Sequence, residues 1–278
     1  MQRCLFLYFY IVLCYNVYFF NNDLTKTYYR YYRKVYYIYP VAAENIYDAG
    51  YVRLLFDRMS ASYEKMNYIF SFGFSLRWRL QFVNNLQPAP GKIKVLDIMT
   101  GMGETWHALT RKYPEAEWHA LDFSQGMLKS AGKRNKQRYN NRFILHEADM
   151  FNNGFEAQSF DVVTCAFGLK TLSAEQVAHL ALELKRLLKP GGQVAMIEVS
   201  VPPNLLLRRL YMFYIGVIVP FAGKMLLGNP REYRMLGVYS RNFGNSESAA
   251  RTFADRGFTV RFNNFFYGCA TGFTGISV

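Results

Sequence analysis

The sequence predicts an α/β fold: a doubly wound, mostly parallel, seven-stranded sheet with a helical cap over its ligand edge. Three observations carry this expectation. Short apolar runs alternate with helical patterns from Ile93 onward, as in a parallel sheet covered by helices on both faces. The first run opens into "VLDIMTGMGETW" (Val95 to Trp106), with two glycines one residue apart. The second run ends in an acid, Asp122.

The elements follow in order. From Tyr51 to Asn85 the apolar spacing is helical, broken at Ser71-Phe-Gly73 before "SLRWRLQFV" resumes it. "QPAPG" (Gln87 to Gly91) is a loop. "IKVLDIM" is a buried strand and "TWHALTRKY" begins a helix. "EWHALDF" is the second strand, and "SQGMLKSAGKRNK" a helix capped by Ser124. "RFILHEAD" and "FDVVTCAF" are the third and fourth strands. "AEQVAHLALELKRLLK" is an amphipathic helix closed by Pro190-Gly191-Gly192, and "QVAMIEVS" is the fifth strand. At Pro202 the rhythm changes. "PNLLLRRLYMFYIGVIVPFAGKMLL" is apolar nearly all round but too interrupted by Arg208, Arg209 and Pro220 to span a bilayer. It reads as one or two helices of a cap over about 202–245. "SESAARTFADRGF" is a further helix, and "TVRFNNFF" and "GCATGFTGISV" are the last two strands. The arrangement is Rossmann-like.

Residues 1–40 do not belong with this pattern. They hold 11 of the 22 tyrosines, are apolar from Cys4 to Phe20 apart from Asn16, and then turn basic. They form an atypical leader, read first as non-native upstream sequence or a disordered leader and second as an N-terminal anchor. Residues 41–90 form a helical segment on the substrate side, and 91–278 the ligand-binding domain. The four cysteines show no CxxC or zinc-type spacing, so neither a disulfide framework nor a metal site is expected, and the compartment is cytoplasmic. The net charge of +13 and 18% aromatic residues favour a membrane surface; nucleic acid comes last, with no recognisable module for it.

The glycine loop lies where an open α/β sheet binds its ligand. A dinucleotide fingerprint would place a third glycine where Trp106 stands, and a P-loop would need Gly-Lys-Ser/Thr. Asp122 ends the second strand, where a carboxylate accepts hydrogen bonds from a ribose diol. Asp97 ends the first strand, just before the loop, where it would attract a cation. This combination suits an adenosyl sulfonium better than a pyrophosphate.

With "EAD" at Asp149 and "LKPGG" following in order, the chain from about Tyr51 to Val278 resembles the class I S-adenosylmethionine-dependent methyltransferases. Within them it is similar to the ubiquinone/menaquinone-biosynthesis C-methyltransferases (the UbiE/MenG family). "FDRMSASYEKMNYIFSFGFSLRWR", "LDFSQGML", "LKPGGQVAMIEVSVP" and "EYRMLGVYSRNF" carry the likeness. The resemblance implies S-adenosylmethionine as cofactor, held by Asp97, Gly101, Met102, Gly103, Asp122, Met127, Asp149, Met150 and Ala166. Asp122 would take the ribose and Asp149 the adenine amino group. It implies a prenylated quinol acceptor, with demethylmenaquinol first, methylated on a ring carbon in quinone biosynthesis. "FGLKTL" departs from the family's FGL/IRN, with Lys170 for Arg and Thr171 for Asn, so the acceptor is less determined than the cofactor. Lys170 would stabilise the phenolate as a point charge. Glu198 would orient a base water, Tyr63 would join them, and Asn67, Tyr233 and Arg241 would lie on the substrate side. The rival acceptors are another lipid, such as a phospholipid amine, or none at all in an idle assembly partner. The apolar acceptor implies peripheral docking at an inner membrane; a homodimer is compatible. The four histidines show no partner pattern and read as structural.

Overall fold

Strand β1 (Lys94–Ile98) is buried at every residue after Lys94. A strand reaches that state only when helices cover both faces and strands flank both edges. Its neighbours β2 (Glu117–Asp122) and β4 (Phe160–Ala166) both run parallel to it. With β3 (Phe143–Glu147), β5 (Leu188–Val199), β6 (Phe258–Phe265) and β7 (Ala270–Ser277), the sheet order is β3-β2-β1-β4-β5-β7-β6. β7 is antiparallel to both β5 and β6. The winding reverses between β1 and β4, and the crevice beyond the carboxyl ends of the strands at such a reversal is where ligands bind.

The computed structural model describes residues 46–60, 63–89, 91–227 and 230–278. Residues 47–278 form one compact unit. The leader, with Cys4 and Cys14, lies outside the described residues.

Three helices precede the sheet: α1 (Ala49–Met59), α2 (Tyr63–Phe70) and α3 (Phe74–Asn84). The expected break at Ser71-Phe-Gly73 is there, with Gly73 in the left-handed region at φ 75°. A second break follows Met59. Ser60 Oγ donates to the Asp57 carbonyl at 2.8 Å, a local bond that competes with helix continuation. Crossovers are made by α4 (Trp106–Lys112), α5 (Gln125–Tyr139) and α6 (Ala174–Leu187). Ser124 caps α5 as expected, its hydroxyl accepting from Met127 N at 3.2 Å. Helix α6 begins with a Ser173/Gln176 capping box and stops at Leu187. It ends before the Pro-Gly-Gly because Lys189 precedes a proline and is driven out of the helical region, so Leu188 pairs with Phe160 as the start of β5.

Between β5 and α10 (Glu247–Asp255) come α7 (Leu205–Phe213), α8 (Val219–Leu227) and α9 (Pro230–Phe243). A π-helical turn, Tyr214–Ile218, joins α7 to α8, with Val219 N bonding the Tyr214 carbonyl five residues back. Pro220 has no N–H to donate, and the widened turn absorbs the missing bond.

Alternate residues of β1 feed two apolar cores, one on each face. Val95 packs with Trp78, Phe82, Trp106 and Trp118. Leu96 and Ile98 pack with Leu180, Leu184, Met196 and Phe253. The N-terminal helices are tied to the sheet by Asp57, whose Oδ1 accepts from Ser124 Oγ at 2.6 Å and Gly126 N at 3.0 Å. The approach is close: a Cβ on Gly126 would stand 2.7 Å from Ser60 Oγ. Two of the histidines do have partners, since His119 Nδ1 lies 2.9 Å from His146 Nε2 and His119 Nε2 the same distance from Glu117. All three are on β2 and β3, away from the crevice.

Candidate functional site

A cleft of about 860 Å³, open to solvent, occupies the crevice at the carboxyl ends of β1, β2 and β4. Its floor is the loop after β1, and two buried carboxylates hold that loop. Asp122 Oδ2 accepts from Gly101 N at 2.8 Å and its Oδ1 from Ser124 N at 2.9 Å. Asp97 accepts from Thr100 Oγ1 at 2.6 Å and from Thr164 Oγ1 at 2.7 Å. Thr100 Oγ1 in turn accepts from the Trp106 indole at 2.8 Å. Trp106 is fully buried and stacks on Phe143, with ring centroids 4.0 Å apart. Gly103 has φ +78°, and a Cβ there would stand 2.6 Å from that indole. The tryptophan where a third glycine was looked for is thus the pedestal of the loop. Burial pushes both Asp97 and Asp122 up to about 6, against the lowering effect of their hydrogen bonds.

Of the residues assigned to the cofactor, Gly101, Asp122, Met127, Asp149, Met150 and Ala166 line the cleft. Asp149 Oδ1 accepts from Phe151 N at 2.8 Å, which fixes its carboxylate at the wall. Asp97, Met102 and Gly103 shape the loop from behind and do not line the cleft.

Two charged residues of the wall escaped the sequence reading. Glu104 lines the cleft; its Oε2 accepts from Met102 N at 3.1 Å, while its buried Oε1 has no partner among the described residues. Its signal was an acid directly after "GMG". Arg79 of α3 lines the cleft at 5% exposure. Its signal was a charge within the apolar repeat of "SLRWRLQFV".

Lys170 and Glu198, expected at the acceptor as an electrostatic group and a base, instead face each other. Lys170 Nζ donates to Glu198 Oε1 at 2.7 Å and to the Phe167 carbonyl at 2.8 Å. Glu198 Oε2 accepts from Lys170 N at 3.1 Å. They are 4% and 0% exposed, and neither lines the cleft. What they hold is Phe167, which does line it and which carries a positive φ of 67°, an uncommon conformation for a residue with a side chain. The side chains of Tyr63, Asn67 and Tyr233 lie outside the described residues. Arg241 sits in α9 and does not line the cleft.

The ubiE/COQ5 methyltransferase family model matches residues 43–277. The chain belongs to that family. It is a methyltransferase dependent on S-adenosylmethionine. The demethylmenaquinone methyltransferase of Thermotoga maritima is 34% identical over 223 residues, covering 80% of this chain and 93% of the relative. That of Geobacillus kaustophilus is 33% identical over 208 residues, covering 74% and 88%. Among solved structures, Haemonchus contortus phosphoethanolamine N-methyltransferase 2, in complex with phosphomonomethylethanolamine and S-adenosylhomocysteine, superposes with a TM-score of 0.56 at 16% identity. The match covers 79% of this chain and 59% of that one. A SAM-dependent methyltransferase from T. maritima gives 0.55 at 18% identity, covering 81% and 98%. At such identities these two show a shared fold.

The cleft fits the family's cofactor on its own terms. It offers a glycine-rich loop, acids at three places, and two buried polar atoms, Glu104 Oε1 and Arg79 Nε, that have no partner among the described residues.

Cofactor binding, measured by calorimetry, weakens as pH falls through about 6, where Asp122 takes up its proton, and is level above about pH 7. In the ligand-free protein the sign is reversed. Acids whose folded affinity for protons exceeds their unfolded one stabilise the fold at low pH, so Asp97 and Asp122 contribute a decline in stability between about pH 4 and 6. A flat binding profile would remove Asp122 from the cofactor. Separately, Lys170→Met strands a buried carboxylate and costs about 3–5 kcal/mol in urea unfolding. Lys170→Met with Glu198→Gln costs less than the single change; a double cost equal to the sum of the two single costs would show that the pair is not coupled.

Proposed function

We propose that this enzyme methylates a ring carbon of a prenylated naphthoquinol, converting demethylmenaquinol to menaquinol. The observation that carries the reading is the identity of 33–34% to demethylmenaquinone methyltransferases across 88–93% of their length. The likeness to a phosphoethanolamine enzyme lies at fold level and gives no support to a phospholipid-amine acceptor.

In this reading Asp122 holds the ribose of the cofactor, Asp149 the adenine, and the Gly101–Gly103 backbone lies along the methionine portion. The cofactor supplies an electrophilic methyl group. The acceptor carbon, ortho to a hydroxyl, becomes nucleophilic as that hydroxyl shares or loses its proton. The chain's part is to align the ring and keep water out. Val52 and Phe56 of α1 and Phe167 after β4 give the cleft apolar walls for that purpose. The Lys170–Glu198 pair acts one step back, by holding Phe167. Residues 41–90, with Tyr63 and Asn67, serve the acceptor side. The 202–245 cap, with Tyr233 and Arg241, closes over the cofactor domain of 91–278.

The acceptor's tail requires access to a bilayer, and the cap supplies a surface for it. Leu205 and Leu206 on α7 and Phe221 and Met225 on α8 are 62–72% exposed, and Arg209 is exposed on α7. Among the described residues no helix is long and apolar enough to cross a membrane. Large apolar side chains beside cations on an amphipathic helix suit peripheral docking on anionic lipid. With a net charge of +13, docking at the inner leaflet follows.

Purified enzyme given S-adenosylmethionine and demethylmenaquinol yields a product heavier by one methyl in mass spectrometry, and none with phosphatidylethanolamine. The reverse outcome would replace the quinol by the phospholipid. Phe221→Glu with Met225→Glu lowers co-sedimentation with phosphatidylglycerol vesicles about tenfold or more, since each apolar side chain is worth roughly 1.5–3 kcal/mol when buried. Unchanged sedimentation would take the cap out of membrane docking.

A further inference from the structure

We propose that two aromatic turns, at residues 71–74 and at Phe266–Gly268, form the subsite for the acceptor's isoprenoid tail, where it passes between the cleft and the protein surface. This rests on the reading of the acceptor as a prenylated quinol, and it assigns the tail to residues outside the cofactor cleft.

A file of rings leads out of the cleft. Phe167 lines the cleft wall, and the Trp78 ring lies behind it, with centroids 6.5 Å apart. Phe74 follows at 5.6 Å from Trp78, Phe266 at 4.6 Å from Phe74, and Tyr267 at 5.7 Å from Phe266. Trp78 is buried, Phe74 and Phe266 are half-buried, and Tyr267 is 75% exposed. The file thus runs from the cleft wall to solvent. Phe72 belongs to the same turn as Phe74; it is 55% exposed, with its ring 5.9 Å from that of Tyr214.

The cap fastens both turns. Tyr214 Oη donates to the Phe70 carbonyl at 2.9 Å, just before the first turn. Tyr211 Oη donates to the Cys269 carbonyl at 3.2 Å, just after the second. The second turn also meets the chain leading into α7, since a Cβ on Gly268 would stand 2.6 Å from Pro203 Cδ. Two turns distant in sequence are held side by side by one stretch of the cap.

Packing does not account for the exposed rings. Phe72, Phe266 and Tyr267 have φ of 50°, 45° and 54°, a region disfavoured for residues with a side chain. Phe72 and Tyr267 bear that cost while more than half exposed, so burial recovers little of it. A hydrocarbon chain lying across them would cover both rings. Charge agrees. No Asp or Glu occurs in residues 65–96, 199–231 or 256–278, the segments that supply the two turns and α7. A carboxylate under an isoprenoid chain would lose its water with nothing in return, and this surface presents none.

The test varies the tail and leaves the ring alone. KM is measured for a demethylated naphthoquinol with one short prenyl unit and for one with a long polyprenyl tail, both in the same non-ionic detergent micelles. Wild type is compared with Phe72→Asn/Tyr267→Asn; asparagine accepts left-handed backbone, so both turns are kept while the rings are removed. Expected is a rise of about tenfold or more in KM for the long-tailed acceptor, with KM for the short one and kcat for both changed less than about twofold. Equal changes for both acceptors, no change for either, or a wild type indifferent to tail length overturn the proposal. So does a change seen in phosphatidylglycerol vesicles and not in micelles, which would give the rings to the bilayer instead. Calorimetric binding of S-adenosylmethionine reports whether the variant is folded. If it does not bind, Tyr267→Asn alone is read by the same comparison: a several-fold rise confined to the long tail supports the subsite, and equal behaviour overturns it. A wild type that methylates neither quinol would instead overturn the acceptor reading itself.

Discussion

The site depends on two carboxylates kept out of water beneath one loop. Asp122 takes its first hydrogen bonds from the Gly101 and Ser124 backbone, and so joins the loop after β1 to the turn that starts α5. Asp97 takes hydroxyl protons from Thr100 and Thr164, and so joins the same loop to β4. The cleft lies at the meeting of β1, β2 and β4, and side chains tie the β1 end to each of the other two as the sheet does. Burial raises the proton affinity of both acids, so this rigidity has an electrostatic cost in the empty cleft. A ligand that brings positive charge and hydroxyl donors offsets that cost. The loop is thus held ready for a ligand of that kind.

What was legible in the sequence was whatever depends on periodicity and on short range. All seven strands announce themselves as apolar runs, and the Ser124 cap and the Gly101/Gly103 loop can be read within a dozen residues. Asp122 was legible because a strand end is a fixed place relative to the loop before it. The boundary errors have equally local causes. The helix expected to run to the Pro-Gly-Gly stops short because Lys189 precedes Pro190, which leaves Leu188 to pair with Phe160. The second break among the first helices came from a serine bonding back to the chain rather than from a glycine or proline.

What was not legible was the direction in which long charged side chains point. Lys170 follows the fourth strand and Glu198 lies near the end of the fifth, both placed by pattern at the ligand edge. The pattern does not say that β4 and β5 are adjacent in such a way that these two charges find each other first. Once paired they serve Phe167, whose strained backbone sets an aromatic ring into the cleft wall. The lysine in place of the family's arginine suits that task. A compact ammonium can reach a carboxylate and a carbonyl at once, without the planar geometry that an arginine would demand.

Arg79 shows the converse. It stands inside a helix whose apolar repeat suggests simple packing, and its only local signal is a charge within that repeat. Its place at the cleft is set by α3 packing on the sheet through Trp78 and Phe82, and the Asp57 bridge from α1 to the start of α5 anchors the same helical segment a second time. The helices before the sheet therefore do more than shelter the acceptor side. They bring the one arginine or lysine among the described residues of the cleft wall to a floor that is otherwise acidic. The methyltransferase cleft is on this account assembled from two parts of the chain. The sheet contributes the acids and the turn, and the preceding helices contribute an arginine at the wall.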